Sequence, residues 1–237
     1  MRNRALCLDL DGTLLDDEAS VEISIDRAVQ ELAAAYPALE LSGLANAYRS
    51  GDAAFWDSPM GMAVMRGEVA GADGRLARWR DALSLCSCDD DAVAASVYEA
   101  YVCHRNSISI VYPDTAQLLA ALPADVSVAI ITNGPKLSQR EKLQTASLDT
   151  AAHVLAISGE LGFAKPDARI FRYALEALGV EPKEALHVGD SLQNDVGGAN
   201  AAGLTSVWLN RNAAKRRDDD PLPHHEIASL RELLTLV

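Results

Sequence analysis

Long apolar runs, basic residues and paired cysteines are what this 237-residue chain has least of. No stretch approaches the roughly 18 consecutive apolar residues that a membrane-spanning helix needs, so a membrane role is not expected. Against 34 acidic side chains stand only 21 Lys and Arg, a formal net charge of −13. Such a field repels nucleic acid phosphates and argues against a polynucleotide partner. It also opposes small anions, so any phosphate-ester site on this chain needs a local cation. The four cysteines, Cys7, Cys86, Cys88 and Cys103, fall into no zinc-ligand spacing and no His completes a site beside Cys86 and Cys88. They are expected to be reduced, which points to a cytoplasmic protein. The amino terminus is basic and then apolar, but acids interrupt the apolar run too soon for a signal peptide. With 15 Gly and 9 Pro the chain is no collagen or low-complexity polymer.

What remains is an ordinary globular composition, 49% hydrophobic and 23% charged. At about 150 residues per domain, the length suits one large domain or a core with a smaller insertion. Short apolar runs read as strands at Ala5 to Leu10, Val126 to Thr132, Val154 to Ser158, Ala185 to Gly189 and Thr205 to Leu209. Between the later ones lie helical patterns at Pro135 to Ser147, Pro166 to Leu178 and Asn194 to Ala202, the last two closed by glycine. That alternation predicts an α/β fold, a Rossmann-like parallel sheet with helices on both faces. From Val21 to Tyr101 the pattern is Ala-rich and helical, including Ile25 to Tyr36, Leu76 to Leu85 and Ala92 to His104, with no convincing strand. The expected organisation is an α/β core of residues 1–16 and 107–237 with an inserted α-helical cap of residues 17–106. Arg66, Arg75, Arg78 and Arg80 are grouped in this insertion; one of them could face a substrate anion, although a solvated helix face is the plainer reading.

Four short constellations stand at strand-to-helix junctions, where α/β sheets bind ligands. Asp9-Leu10-Asp11-Gly12-Thr13 places two carboxylates on one side of the chain at the end of the first strand. Thr132-Asn133-Gly134-Pro135 offers a hydroxyl and free backbone amides at a helix start, or merely a helix cap. Lys165-Pro166 supplies a cation, and Gly189-Asp190-Ser191-Leu192-Gln193-Asn194-Asp195 supplies two more acids. If the four carboxylates Asp9, Asp11, Asp190 and Asp195 converge, their repulsion requires a cation, and hard oxygen ligands of this kind suit Mg²⁺.

In this order the four motifs resemble the haloacid dehalogenase superfamily, and the resemblance runs from Leu8 to about Leu209. It implies Asp9 as nucleophile, Asp11 as general acid and then base, Thr132, Asn133 and Lys165 around the phosphate, and Mg²⁺ held by the acidic set, with Asp195 either a ligand or a partner of one. A carboxylate two residues after the nucleophile favours phosphomonoester hydrolysis through an aspartyl-phosphate over the 2-haloacid dehalogenase reaction, which needs no proton for its leaving group. The insertion has no lysine between Val21 and Tyr101, which counts against the related phosphonate hydrolases. A non-catalytic phosphate-binding or phosphoacceptor protein is a further alternative. Gln139-Arg140-Glu141-Lys142, Lys165-Pro166-Asp167 and Val207-Trp208-Leu209-Asn210 look like the branch containing pyrimidine 5′-nucleotidases and N-acylneuraminate 9-phosphate phosphatases. The partner expected is therefore a small phosphorylated metabolite, a nucleoside monophosphate or sugar phosphate, acted on by a monomer or homodimer.

Overall fold

Five apolar segments and one short polar one build a single parallel sheet in the computed structural model, which describes residues 4–237. The strands are β1 (Ala5–Leu8), β2 (Ser127–Thr132), β3 (Val154–Ile157), β4 (Ala185–Gly189), β5 (Thr205–Leu209) and β6 (His225–Ile227), in the order β3-β2-β1-β4-β5-β6. Residues 1–3, and with them the start of the expected basic amino terminus, lie outside the described residues.

Alternation along each strand divides the core into two layers. Leu6, Leu8, Val128, Ile130, Leu186 and Val188 face one side; Ala5, Cys7, Ala129, Ile131 and Ala185 face the other. Large aliphatics fill the first layer against helices α7 (Pro113–Ala121) and α8 (Lys136–Thr145), each contributing about 1.5–3 kcal/mol by burial. Small residues in the second let helix α10 (Ala168–Leu178) approach closely through Ile170, Phe171, Ala174 and Leu175.

Among the described residues there are eleven α-helices. Six follow β1: α1 (Asp17–Ala35), α2 (Leu44–Ser50), α3 (Asp52–Trp56), α4 (Pro59–Met65), α5 (Gly71–Leu85) and α6 (Asp91–Ser107). The rest are α7 (Pro113–Ala121), α8 (Lys136–Thr145), α9 (Ser158–Leu161), α10 (Ala168–Leu178) and α11 (Gly198–Ala202). The first six share their own apolar cluster, in which the Tyr48 and Trp79 rings stack at 3.9 Å and Tyr101 meets both at 5.6 Å. The chain leaves for these helices and returns from them side by side: Asp16 donates its amide to Ile110 O at 2.8 Å and Tyr112 to Leu14 O at 3.1 Å. Among the described residues no helix is long and apolar enough to cross a membrane.

Several boundaries differ from the sequence expectation for local reasons. Helix α1 begins at Asp17 rather than Ile25, because Asp16 caps the Ala19 amide at 3.1 Å and the Ser20 and Ser24 hydroxyls bond back along the helix. Helix α10 begins at Ala168, with Asp167 as its cap instead of Pro166. The helix expected at Asn194 is a π-type turn, Leu192–Gly197, running into α11. Strand β6 is new; its His-Glu-Ile sequence is too short and polar to read as a strand.

The carboxyl-terminal helical turn, Leu230–Thr235, is pinned by Asp114 on α7. Both Asp114 oxygens accept from Arg211, at 2.9 and 3.0 Å, and the same carboxylate takes the Ser229 hydroxyl and the Leu230 amide. Burial works to raise its pKa, but these donors outweigh burial and hold it below the ordinary value. The contribution to stability is thus fully present above about pH 4 and is lost as pH falls through that range. Asp114→Ala is expected to cost about 3 kcal/mol in chemical denaturation at neutral pH, and less below pH 4.

Candidate active site

The sheet order turns back at β1: the chain goes to β2 and β3 on one side and to β4, β5 and β6 on the other. Such a switch point opens a crevice at the carboxyl ends of the central strands. Asp9 and Asp11 follow β1, Thr132 and Asn133 end β2, and Asp190 and Asp195 follow β4. Lys165 arrives from the segment after α9.

Lys165 is the centre of the group. Its ammonium, 5% exposed as a residue, lies 2.5 Å from Asp9 Oδ1 and 2.7 Å from Asp195 Oδ1. Burial works to lower its pKa, and the Asp195 and Asp9 carboxylates overcome it, so the lysine stays charged. Asn133 fixes this lysine in place. Its Oδ1 accepts from the Lys165 amide at 2.8 Å and its Nδ2 donates to the Lys165 carbonyl at 2.9 Å.

Asp195 is completely enclosed, with donors on both oxygens. Lys165 and the His187 Nε2 engage Oδ1, and the Ser191 amide donates to Oδ2 at 3.0 Å. Burial raises its pKa, but Lys165 and then His187 hold the carboxyl well below the usual range. Its close approach to the strand end requires Gly189, since any side chain there would strike the Asp195 carboxyl. Asp9 behaves oppositely. Burial raises its pKa well above the ordinary value, Lys165 lowers it only partly, and Asp195 and Asp190 add to the rise. Its other oxygen accepts from the buried Thr13 hydroxyl at 3.2 Å. Asp190, pushed up to about 6 by burial and by Asp195, opens to the crevice, and its backbone carbonyl accepts from the Trp208 indole at 2.9 Å. Gly12 adopts φ +76°, and a side chain there would run into the Asp190 carboxylate.

One oxygen from each of Asp9, Asp190 and Asp195 lies within 4.8 Å of the other two. Three carboxylates share a single ammonium, and this excess of hard oxygen donors fits a divalent cation such as Mg²⁺. Asp11 stands outside that trio, although the sequence placed it among four converging acids. Its Oδ2 accepts from Lys142 at 2.7 Å and Gln139 at 3.0 Å, while its buried Oδ1 has no partner.

Gln139 and Lys142 were quoted in the sequence as part of a resemblance, with no role attached. On α8 they lie three residues apart beside Leu143, so all turn inward; a polar pair flanking a core leucine is the signal that could have found them. Gln139 also donates to the Thr132 hydroxyl at 2.6 Å and to the Asn133 carbonyl at 3.1 Å. Lys142 reaches Asp17 at 3.0 Å, which in turn binds Arg105 at 2.6 Å. Despite burial, Lys142 and Arg105 hold the Asp17 carboxyl at about 2. Asp11 is thereby coupled to both ends of the helical insertion, α1 and α6. The amides expected to be free after Thr132 are not all so: Gly134 N donates to Ser158 Oγ at 2.9 Å, and that hydroxyl donates to Met65 O on α4.

Two cavities meet here, a cleft of about 870 Å³ and a smaller one of about 220 Å³, and Asp11, Asp17 and Arg78 line both.

Phosphoserine phosphatase of Thermus thermophilus is 40% identical over 141 residues, which are 59% of this chain and 56% of that protein. N-acylneuraminate-9-phosphatase of Mus musculus is 30% identical over 168 residues, 70% of this chain and 68% of that one. This chain thus matches little more than half of the Thermus enzyme's length. Among solved structures, the hydrolase YfnB of Bacillus subtilis, bound to magnesium, superposes with a TM-score of 0.77 at 23% identity, covering 99% of this chain and 98% of that one. The model of the haloacid dehalogenase-like hydrolases matches residues 3–203, and the chain belongs to that family.

Proposed function

We propose that this protein is a Mg²⁺-dependent phosphomonoesterase that hydrolyses a small phosphorylated metabolite through an aspartyl-phosphate on Asp9. The observation that supports it most is the separation of two carboxylates from one short motif: Asp9 joins Lys165 and the acidic trio, whereas Asp11 is held apart by Lys142 and Gln139.

Asp9, Asp190 and Asp195 would hold Mg²⁺, Asp195 directly or through its neighbours, and the ion would withdraw charge from the phosphoryl oxygens. Lys165 neutralises Asp9 and the incoming phosphoryl group, so that one anion can approach another. Asn133 lines the smaller cavity and fixes the Lys165 backbone, and Thr132 stands buried beside it under Gln139; both would face the phosphoryl group. An Asp9 oxygen attacks phosphorus, the bond to the ester oxygen breaks, and Asp11 gives its proton to the departing alkoxide. Asp11 then takes a proton from water as that water attacks phosphorus, releasing inorganic phosphate and restoring Asp9. The free Asp11 Oδ1 is the atom that carries the proton; its other oxygen is occupied by Lys142 and Gln139.

In this reading residues 17–106 form a cap over a core of residues 1–16 and 107–237, and the crevice between them excludes water from the reaction. A cytoplasmic monomer or homodimer is the setting proposed.

The reading is tested by phosphate release from p-nitrophenyl phosphate and a panel of sugar and nucleoside monophosphates. Release is expected with Mg²⁺ and is expected to fall to background with EDTA, returning when Mg²⁺ is restored. Equal rates in EDTA, or halide release from 2-haloacids without any phosphate release, would contradict it.

A further inference from the structure

The arginines of the helical insertion do not share one fate. Arg66 pairs with Glu68 and Arg80 with Asp91, both in solvent. Arg75 and Arg78, one helical turn apart on α5, instead line the 220 Å³ cavity that also contains Asp11, Asn133 and Gln139.

Arg78 is 7% exposed, and its guanidinium lies 4.1 Å over the Tyr48 ring. Asp52 approaches one of its terminal nitrogens at 2.6 Å, and the Tyr48 carbonyl lies at 3.4 Å from that same nitrogen. Its buried Nε has no hydrogen-bond partner. A buried guanidinium donor without an acceptor is costly, and it remains so unless something that enters the cavity satisfies it. Arg75 donates only to the Ser138 hydroxyl, at 2.8 Å, and has no carboxylate partner among the described residues.

The charge balance of the cavity defines what that entrant must be. Four basic side chains face three carboxylates. Lys142 and Arg105 are engaged by Asp11 and Asp17, which leaves Arg75 and Arg78 against Asp52 alone. One surplus positive charge next to the reacting carboxylates of a protein with net charge −13 matches a monoanion better than a second phosphoryl dianion. A carboxylate oxygen is a charged acceptor for the one donor of Arg78 that is left over, its Nε.

We infer that Arg75 and Arg78 read a carboxylate on the leaving group, so that the substrate class is a small phosphorylated carboxylic acid. The inference rests on the phosphatase reading above and narrows it, since nucleoside monophosphates and neutral sugar phosphates carry no such group.

Esters that differ only in the carboxylate test it: 3-phosphoglycerate against glycerol 3-phosphate, and O-phosphoserine against ethanolamine phosphate. The wild-type protein is expected to favour the carboxylated member of each pair by about 10- to 100-fold in kcat/KM, the range of one or two charge-assisted hydrogen bonds. In Arg75→Gln and in Arg78→Gln that ratio is expected to fall toward one, chiefly through a higher KM for the acid. Arg78→Gln could lose its fold with the Tyr48 stack; Arg75, half-buried, then decides. Mg²⁺-dependent release from p-nitrophenyl phosphate with a wild-type ratio near one, or a ratio that survives both variants, overturns this inference and leaves the phosphatase reading standing. Absence of release from every ester overturns both.

Discussion

Asp9→Asn is expected to lower kcat by about 10⁴-fold or more while leaving the fold intact, because it removes the attacking oxygen and keeps the side chain's volume. The electrostatics sharpen this result. Asp9 is buried, shares Lys165 with Asp195, and is repelled by both Asp195 and Asp190. Removing its charge relieves that repulsion, so the metal-free variant is expected to melt no lower than the wild-type protein. Lost activity together with a retained or raised Tm distinguishes a chemical role from a structural one. A variant that loses activity only by unfolding would place Asp9 in the core and not in the reaction.

Lys165→Met is expected to fail differently, losing activity and stability together. The side chain is 3% exposed and sits between two carboxylates that are 8% and 2% exposed. Its removal leaves buried anions uncompensated, a loss of about 3–5 kcal/mol when one partner of a buried pair is deleted. The same loss removes the cation that lets Asp9 approach a phosphoryl group, so kcat/KM is expected to fall by about 10³-fold. Lys165→Arg is not expected to restore either property, because the enclosing Asp9 and Asp195 carboxylates fit a compact ammonium. Chemical denaturation and kcat/KM measured on the same preparation check the pairing of effects; a stable, inactive Lys165→Met protein would mean that the two buried carboxylates do not need this cation.

What could be read from the sequence was local. The runs that form β1, β2 and β4 each ended in a motif, so the positions of Asp9, Thr132 and Asp190 at strand ends followed from short apolar runs, while Asp195 lies further on, in the helical turn Leu192–Gly197. The helices between β1 and β2 followed from the same periodicities, whereas the place of β1 inside the sheet, between β2 and β4, did not. What could not be read depended on partners distant in the chain. Asn133 looked like a phosphate ligand or a cap residue, and nothing local shows that its amide clasps the backbone of Lys165, 32 residues on. Lys142 had no role in the sequence reading, yet it is buried against Asp11 and Asp17. Asp11, expected as the general acid and base, was also expected among the carboxylates that hold the cation, and the packing of α8 against the first motif is what sets it apart from the other three. Arg78 illustrates the same point for the insertion. A solvated helix face was the plainer reading of its neighbourhood, and it holds for Arg66 and Arg80 but not for the arginine that Tyr48 and Phe55 enclose.

The central claim is a covalent phosphoryl group on Asp9, and mass analysis of the acid-quenched enzyme tests it most directly. During turnover of p-nitrophenyl phosphate with Mg²⁺, the peptide containing Asp9 is expected to gain the mass of one phosphoryl group, and the gain is expected to vanish in Asp9→Asn. Steady Mg²⁺-dependent turnover with an unmodified Asp9 peptide on every quench timescale, or the phosphoryl group found on another residue, would contradict the account.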